Sequence, residues 1–438
     1  MKNNIIKYLG LSIFSLVLLS GCSLDAENPN NLLEESLDIR AFGPMVNGLE
    51  TTVVRAYGNI LAPYSVASDE MVWIGSRDAW NQLNFGNIDN INNEFVDAAY
   101  PYVSEARYWA DDVIARGVEF SSSNAFTATN RADLVRAYMY GAVIYMVIAD
   151  MFDDFVVGSV KTEGSAAVGA ANMGGLYDTA IGYIDAGLAL NSGLTGELKA
   201  LKARALFTKG VWGKTNPVNT ASPLVSSASA ASLASEALAA LGATFSVDLV
   251  TSDSAPGTID GLDIAGEVND RNEMRLSDTY VISEADAFPG SAGTKDAAST
   301  ISLNDPIDNI ADPALFNNVK AFTDGYTDPD YPVASAREMH LILAENALAS
   351  GNSADFTTHI NNLRAMDDLT PYSGQMDATA LLLHSRRVNL FLQGRRLADH
   401  YRFASPSEYW IATSVAVTAP GAFFPITIGE VQSNENVD

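Results

Sequence analysis

The segment Leu381–Phe403 constrains the fold most strongly, because two stripes of opposite character run along it at helical spacing. One stripe is apolar and consists of Leu381, Val388, Phe391 and Leu392. The other consists of hydrogen-bonding side chains: Arg386, Asn389, Gln393, Arg396 and His400. Since apolar residues flank the polar stripe on both sides, we expect one long helix whose polar stripe faces a neighbouring element.

Buried guanidinium groups need acceptors, and the preceding helical segment offers two. Glu338 and Glu345 stand about two helical turns apart and therefore share one face of that segment. The simplest interpretation is an interhelical polar network that fixes the packing of the two helices. No nucleophile or acid–base pair accompanies the arginines, so this stretch is assigned to structure rather than catalysis.

The same stretch carries a spaced motif of arginines, a glycine and an aspartate. Its residues are Arg386, Arg387, Leu390, Gly394, Arg396, Asp399 and Arg402. The pattern resembles the C-terminal signature R-R-x-E-L-x-x-E-G-x-R-x-x-D-x-x-R of SusD/RagB-like outer-membrane lipoproteins. Two glutamates of that signature are replaced here by Asn389 and Gln393, whose amide oxygens still accept hydrogen bonds.

The N-terminus has the features of a lipoprotein signal peptide over residues 1–21. Lys2 and Lys7 form a basic head, and the apolar run Leu9–Leu19 is too short to span a bilayer. The run leads into Leu19-Ser20-Gly21-Cys22, the lipobox pattern of bacterial lipoproteins. Cys22 is the only cysteine of the chain, which favours lipid attachment at this residue and excludes disulfides.

The residues after the cysteine predict how the protein is held at the membrane. Residues 22–35 are acidic and rich in Asn and Pro, which is typical of a tether. Ser23, which stands where an aspartate would favour inner-membrane retention, favours the outer membrane. We therefore expect an outer-membrane, lipid-anchored protein that is exposed at the cell surface.

The charge of the chain excludes some partners. Without residues 1–21 the chain has 24 basic and 53 acidic residues, a net charge of −29. So acidic a surface argues against nucleic acid and against adsorption to anionic lipid.

Periodicity predicts a mostly α fold for residues 36–438, organised as one helical body. Helices are expected at 36–59, 93–119, 131–151, 176–190, 197–212, 230–241, 335–349 and 356–366. Paired helices with short connections indicate a tetratricopeptide-like array. Two segments interrupt the pattern, an aromatic loop at 62–91 and a long loop-rich insertion at about 243–332.

Three further segments extend the resemblance over most of the body. Pro332–Leu348 resembles the family's helix ending in L-x-x-A-E-A, and Ile360–Arg364 resembles its I-N-x-x-R. Phe424–Asn434 resembles P-I-P-x-x-E-x-x-x-N, with Thr427 in place of the second proline. The resemblance implies a surface protein that binds glycans or peptides and delivers them to a SusC-like TonB-dependent transporter.

The aromatic loop supplies the candidate ligand-binding residues. It combines Trp73 and Trp80 with Asp69, Arg77 and Asn81. Aromatic faces stack on sugar rings, and polar side chains beside them bind hydroxyl groups. The alternative is that both tryptophans only pack the loop onto the helices. Further aromatic candidates in the insertion are Tyr280, Tyr326 and Tyr331.

The sequence predicts no catalytic site, cofactor or metal centre. Its histidines, His340, His359, His384 and His400, are scattered along the chain and form no metal-ligand pair by spacing. No nucleotide-binding or nucleophile motif is present, and a helical glycosidase would need a carboxylate pair that spacing does not reveal. A scaffold for protein partners and an ABC-type solute-binding lipoprotein remain alternatives; the latter would alternate strands and helices.

Overall fold

The computed structural model describes residues 37–158, 164–251, 264–269, 271, 273–281, 301–324 and 329–437. The predicted signal peptide, Cys22 and the tether lie outside the described residues. The chain divides after Ala41. In the first unit a 3₁₀ turn spans Ile39–Ala41, and the Arg40 guanidinium donates to Asp38 at 2.6 Å.

The second unit contains long helices and short strands. Its helices are α1 (Phe42–Ala67), α2 (Asp78–Asn84), α3 (Glu94–Phe120), α4 (Ala128–Met151), α5 (Gly175–Ala189), α6 (Thr195–Thr215), α7 (Ala228–Leu241), α8 (Ile264–Asn269), α9 (Pro313–Asp324), α10 (Ala336–Ala349), α11 (Ser353–Ala365), α12 (Ala378–Asn389), α13 (Arg396–Arg402), α14 (Val415–Thr418) and α15 (Ile428–Ser433). The strands are β1 (Met71–Trp73), β2 (Ser246–Leu249), β3 (Met274–Leu276) and β4 (Tyr331–Ser335). The predicted mostly α fold class is confirmed.

The long helices pack as neighbours in chain order. Helix α1 packs on α3 and α4, and the series continues through α5, α6 and α7 before α10 and α11 close it. Each helix therefore buries its apolar face against the next one, which is how helical-repeat proteins build a continuous core. A smaller apolar cluster lies between α10, α11 and α12, around Leu341, Phe356 and Leu381.

Helix α4 is the central helix of this core. Thr127 and Asn130 form a capping box at its N-terminus. By length and composition alone it could cross a membrane, but 89% of its most apolar window is buried against other parts of the protein. It is therefore a core helix, apolar around its circumference and covered by its neighbours.

Two antiparallel ribbons bring distant segments together. In one, β1 pairs with β3, and Met71 lies opposite Leu276. In the other, β2 pairs with β4, and Ser246 lies opposite Ser335. Ser335 then caps α10 by accepting the Glu338 N–H at 3.2 Å.

The prediction of one helix over Leu381–Phe403 is wrong, because the chain turns between α12 and α13. Leu392 and Gly394 both adopt left-handed backbone conformations, with φ of 55° and 73°. The left-handed conformation favours glycine at position 394, and a Cβ atom there would lie 2.6 Å from the Met151 methyl group, which would have to move. The predicted polar stripe is therefore divided between two helices and the turn that joins them.

Two loop predictions also need correction. Helix α1 continues through Pro63 to Ala67, and the supposed loop at 62–91 contains β1 and α2. The insertion at 243–332 contains α9, which its irregular sequence did not indicate. In both places tertiary packing stabilises structure that local signals do not favour.

Candidate ligand-binding groove

The turn between α12 and α13 is surrounded by buried charged side chains. We name them the turn cluster: Asp150, Arg204, Glu338, Glu345, Arg386, Arg395, Asp399 and Arg402. Their side chains are at most 6% exposed. Buried charges are stable only when paired and hydrogen-bonded, so the geometry of these pairs decides what the cluster does.

In the first half of the turn cluster, two arginines share two carboxylates. Asp399 accepts from Arg386 Nε at 2.8 Å and from Arg402 Nε at 2.8 Å. Glu345 accepts from both Arg402 terminal nitrogens and lies 3.6 Å from Arg386. Burial opposes ionisation of Asp399, but these two guanidinium charges hold its pKa below the usual range.

In the second half, Arg395 and Arg204 meet carboxylates from other helices. Arg395 donates to Glu338 at 3.1 Å and lies 3.4 Å from Asp150, to which Arg204 donates at 2.8 Å. Glu338 and Glu345 are thus acceptors. Their main donors, however, are Arg395 for Glu338 and Arg402 for Glu345, and both arginines lie outside the predicted stripe. Sequence reasoning missed Arg395 because it stands on neither helical stripe.

The two amides that replace signature glutamates also lie at this turn. Asn389 accepts from Arg337 at 2.7 Å and donates to the Ser385 carbonyl at 2.9 Å. Gln393 donates to the Asn389 carbonyl at 3.2 Å. Its Oε1 atom is buried and has no hydrogen-bond partner among the described residues.

Asp69 was predicted to contact ligand, but it is a buried structural acceptor. It accepts from Arg396 Nε at 3.0 Å and lies 3.2 Å from His400 Nε2. Burial opposes ionisation of Asp69, yet these neighbours hold its pKa well below the usual range. Next to it, Glu70 accepts the Leu392 N–H at 2.7 Å and so fixes the left-handed turn residue.

Trp73 and Trp80 are not exposed for ligand stacking. They are 3% and 0% exposed, and their rings stack on each other at 5.4 Å. Trp80 also stacks on Phe95 at 4.0 Å. The sequence-based ligand assignment of these tryptophans is therefore wrong, because a ring enclosed on both faces by the core offers no face to a sugar.

The other candidates of this segment are more accessible. Arg77 is half exposed and pairs with Glu94 at 3.5 Å, and Asn81 is half-buried on α2. Of the tyrosines, Tyr280 is fully buried. The Cζ atom of Arg387 lies 4.4 Å from the centroid of its ring. Tyr326 lies outside the described residues.

A groove runs beside the turn, between the β2–β4 ribbon and α9. It consists of two adjoining cavities of about 370 and 330 Å³, which share Ser246, Asn318, Pro332 and Gln393. We call it the ribbon groove. Leu392 and Gln393 form its floor, and the Gln393 carbonyl accepts from Arg395 of the turn cluster at 2.6 Å.

The walls of the ribbon groove combine apolar surface with hydrogen-bonding groups. Phe391, Tyr331 and Pro332 contribute apolar surface. Two carboxylates face the first cavity: half-buried Asp248, which accepts from Ser246, and exposed Asp330. Burial and the nearby Asp330 charge raise the pKa of Asp248.

The one charged residue that lines the second cavity is Arg337, and it is already paired. Its two terminal nitrogens donate to both oxygens of Asp367, at 2.6 and 2.7 Å. One of them also donates to Asn389. Among the described lining residues the groove therefore offers acceptors and amides but no uncompensated positive charge.

The described residues contain one His–Asp group close enough to share an ion, formed by Asp305, Asp312 and His384. Its ligand atoms are already engaged. Both oxygens of Asp305 accept from Arg364, at 2.7 and 3.0 Å. Asp312 caps α9 and lies 2.8 Å from His384 Nε2. The group therefore fixes the start of α9.

Two of the histidines that are scattered along the sequence meet in the fold. His340 on α10 and His359 on α11 come together, with their Nδ1 atoms 3.4 Å apart. Burial, and then the neighbouring His359, lower the pKa of His340 to about 4. Sequence spacing could not show this pair because the two residues meet only when the helices pack.

Comparison with known proteins places this architecture. A packed series of helix pairs with an inserted ribbon defines a tetratricopeptide-like helical-repeat protein. No protein-family model matches the sequence, and no curated protein matches it. Solved structures do match it, and at low sequence identity they report on the fold.

Three of these structures illustrate the match. A SusD superfamily protein from Bacteroides thetaiotaomicron aligns with a TM-score of 0.65 and 13% identity, over 92% of this chain and 99% of that one. A putative sugar binding protein from Bacteroides vulgatus aligns with a TM-score of 0.61 and 13% identity, over 91% and 97%. B. fragilis NanU aligns with a TM-score of 0.60 and 15% identity, over 94% and 98%. The chain has the SusD fold, and the resemblance drawn from its motifs is confirmed.

Proposed function

We propose that this protein is a cell-surface glycan receptor of a nutrient-uptake system, and that the ribbon groove holds the glycan. The observation that carries the proposal is the lining of the groove. Apolar surface from the half-buried Pro332 and the exposed Ala321 lies beside the carboxylates of Asp248 and Asp330 and the amide of Asn318. Sugar rings present apolar faces and many hydroxyl groups, and such a lining complements both.

The comparisons support the same ligand class. Among the solved structures with this fold, one is described as a putative sugar binding protein and another as a SusD-like carbohydrate binding protein. The paired state of the turn cluster also favours binding over catalysis, because its carboxylates are held by arginines behind the groove floor. We expect the glycan to leave the protein unchanged.

Binding is tested with a glycan and peptide array, using the lipid-free protein that begins at Ser23. Retention of one polysaccharide class is expected. Ala321 is exposed on α9 and lines the groove, so Ala321→Trp fills it without removing a structural contact. This variant should lose binding, whereas Asn317→Trp, exposed on the same helix and absent from the groove lining, should retain it. Binding to peptides alone, or an unaffected Ala321→Trp, would contradict the glycan site.

The cellular part of the proposal rests on the N-terminal motif. We propose that Cys22 carries the lipid anchor, that the tether holds the body outside the outer membrane, and that a SusC-like TonB-dependent transporter receives the glycan. Palmitate labelling should be lost in Cys22→Ser, and the anchored protein should be protease-accessible on intact cells. A barrel protein should co-purify with it from native membranes; co-purification of other proteins alone would favour a scaffold.

A further inference from the structure

A second groove, with a volume of about 580 Å³, lies between α3 and the C-terminal segment. It exceeds either cavity of the ribbon groove. One side is formed by α3 residues from Asp97 to Trp109, and the other by Thr427 to Ser433 at the start of α15. We call it the tail groove.

Two neighbouring aromatic rings line the tail groove. Tyr108 and Trp109 are both half-buried, and their rings lie 5.7 Å apart at 75°. Glu105 orients the indole by accepting from Trp109 Nε1 at 3.4 Å. Unlike Trp73 and Trp80, these rings keep part of their surface outside the core, as a sugar-stacking platform requires.

Two buried polar atoms of the lining have no partner among the described residues. One is the Oγ1 atom of Thr427, a residue that is 1% exposed and replaces the second proline of the P-I-P pattern. The other is Nε of Arg107, a residue that is 4% exposed. A buried polar group without a hydrogen bond is unfavourable, and a hydrogen bond from a ligand hydroxyl group at this place would relieve that cost.

The carboxylates of the tail groove define the ligand class. Asp97 accepts the Gly429 N–H at 2.9 Å, and Glu430 accepts from Asn434 at 2.8 Å. Each keeps a further oxygen able to accept a hydrogen bond from a hydroxyl group. Together with Glu105, these acids outnumber Arg107, so a neutral sugar fits better than an anionic one.

We propose that the tail groove is a second saccharide-binding site, in which Tyr108 and Trp109 contact a sugar ring and Thr427 and Arg107 bind its hydroxyl groups. The inference rests on the proposed glycan-receptor function but concerns different residues. Two sites on one chain would hold a long polysaccharide more tightly than either site alone, because the second contact becomes intramolecular.

The test is isothermal titration of the lipid-free protein with four neutral hexasaccharides: maltohexaose, cellohexaose, xylohexaose and mannohexaose. At least one should bind with a stoichiometry of two per chain. Trp109→Ala should remove one site, and Ala321→Trp should remove the other. The isosteric Thr427→Val should weaken the tail site about fivefold, the effect of one lost hydrogen bond.

Two matched variants control for folding. Trp212→Ala removes a half-buried tryptophan of α6, and Thr358→Val removes an exposed threonine hydroxyl of α11; both should keep two sites. A stoichiometry of one that Ala321→Trp abolishes and Trp109→Ala leaves intact would overturn the tail site alone. No binding of any of the four sugars would overturn both sites together.

Discussion

The turn cluster and the ribbon groove both adjoin the turn between α12 and α13, but they differ in how their polar groups are used. Every carboxylate of the turn cluster accepts from an arginine, and its side chains are at most 6% exposed. The groove has half-buried or exposed carboxylates at Asp248 and Asp330, and Gln393 Oε1 has no partner among the described residues. The most recognisable sequence motif therefore serves mainly packing, while the carboxylates that face the groove, Asp248 and Asp330, come from segments without a motif.

Glu70 links the two regions. Its Oε1 atom accepts the N–H of Leu392, a residue of the groove floor, and its Oε2 atom accepts from Ser68. Burial raises the pKa of Glu70 to about 7. A buried carboxylate thus helps to fix the backbone that forms the floor of the ribbon groove.

The largest expected effect is on stability, from the turn cluster. Arg402→Ala leaves Glu345 and Asp399 buried with fewer partners, and should lower the free energy of unfolding by about 3–5 kcal/mol. Urea denaturation measures it. As a control, Lys209→Ala breaks the exposed pair with Asp178 and should cost less than about 1 kcal/mol. A loss below about 1 kcal/mol for Arg402→Ala would show that the cluster is not structural.

Trp80→Ala tests whether the aromatic segment belongs to the core or to the site. The ring is fully buried between Trp73 and Phe95, so its removal should cost about 3–5 kcal/mol of stability. Glycan affinity per folded molecule should stay unchanged when measured at 10 °C. A stable variant that no longer binds glycan would show that this segment contributes to the ligand-binding site.

Glu70→Gln tests the link between the two regions through pH. Because the folded-state pKa is raised from 4.5 to about 7, the folded protein binds more protons than the unfolded chain between these values. Stability from this group is present at low pH and is lost as pH rises towards 7. Glu70→Gln should therefore gain about 1 kcal/mol or more over wild type at pH 8 and little at pH 4. Equal gains at both pH values would exclude titration of Glu70.

His340→Gln should change the pH dependence of stability in the opposite sense, because the His340 contribution is lost as the pH falls. Since burial lowers the pKa of His340 to about 4, the wild type loses stability as pH falls from 6.5 towards 4. The variant should flatten this part of the curve. Thermal melts between pH 4 and 7 measure it; an unchanged slope in His340→Gln would contradict a neutral buried pair.

The smallest expected effect concerns ligand charge in the groove. Asp248→Asn should raise affinity for an oligogalacturonate about threefold, because it removes one negative charge from the lining. Affinity for the neutral glycan should change less. Titration at low and at 0.5 M salt separates the charge effect, which added salt should suppress. An unchanged or lower affinity for the oligogalacturonate would contradict this expectation.

Much of the fold follows from local signals. Thr127 and Asn130, Asn93 and Ser335 cap helices that the sequence places within a few residues of their observed ends. The division of Leu381–Phe403 does not follow from local signals, because Leu392 is held by Glu70, which is 322 residues away in the chain. The prediction from periodicity alone extended the helix through a turn at which Gly394 adopts a left-handed conformation.

The candidate site is less predictable for the same reason. The ribbon groove joins Ser246, Asn318, Pro332 and Gln393, which no sequence spacing relates. Trp73 and Trp80 have the composition of a binding loop, but whether a ring faces ligand or core depends on Phe95 in another helix. Tertiary contacts therefore decide which of the candidate side chains line a groove.

Hydrogen–deuterium exchange with and without the bound hexasaccharide tests the central claim most directly, since it compares the two regions in one protein. The account predicts protection of Ser246–Leu249, Pro313–Asp324 and Tyr331–Ser335, with little change in Met71–Asn84. Protection confined to Met71–Asn84, with the ribbon unchanged, would contradict it.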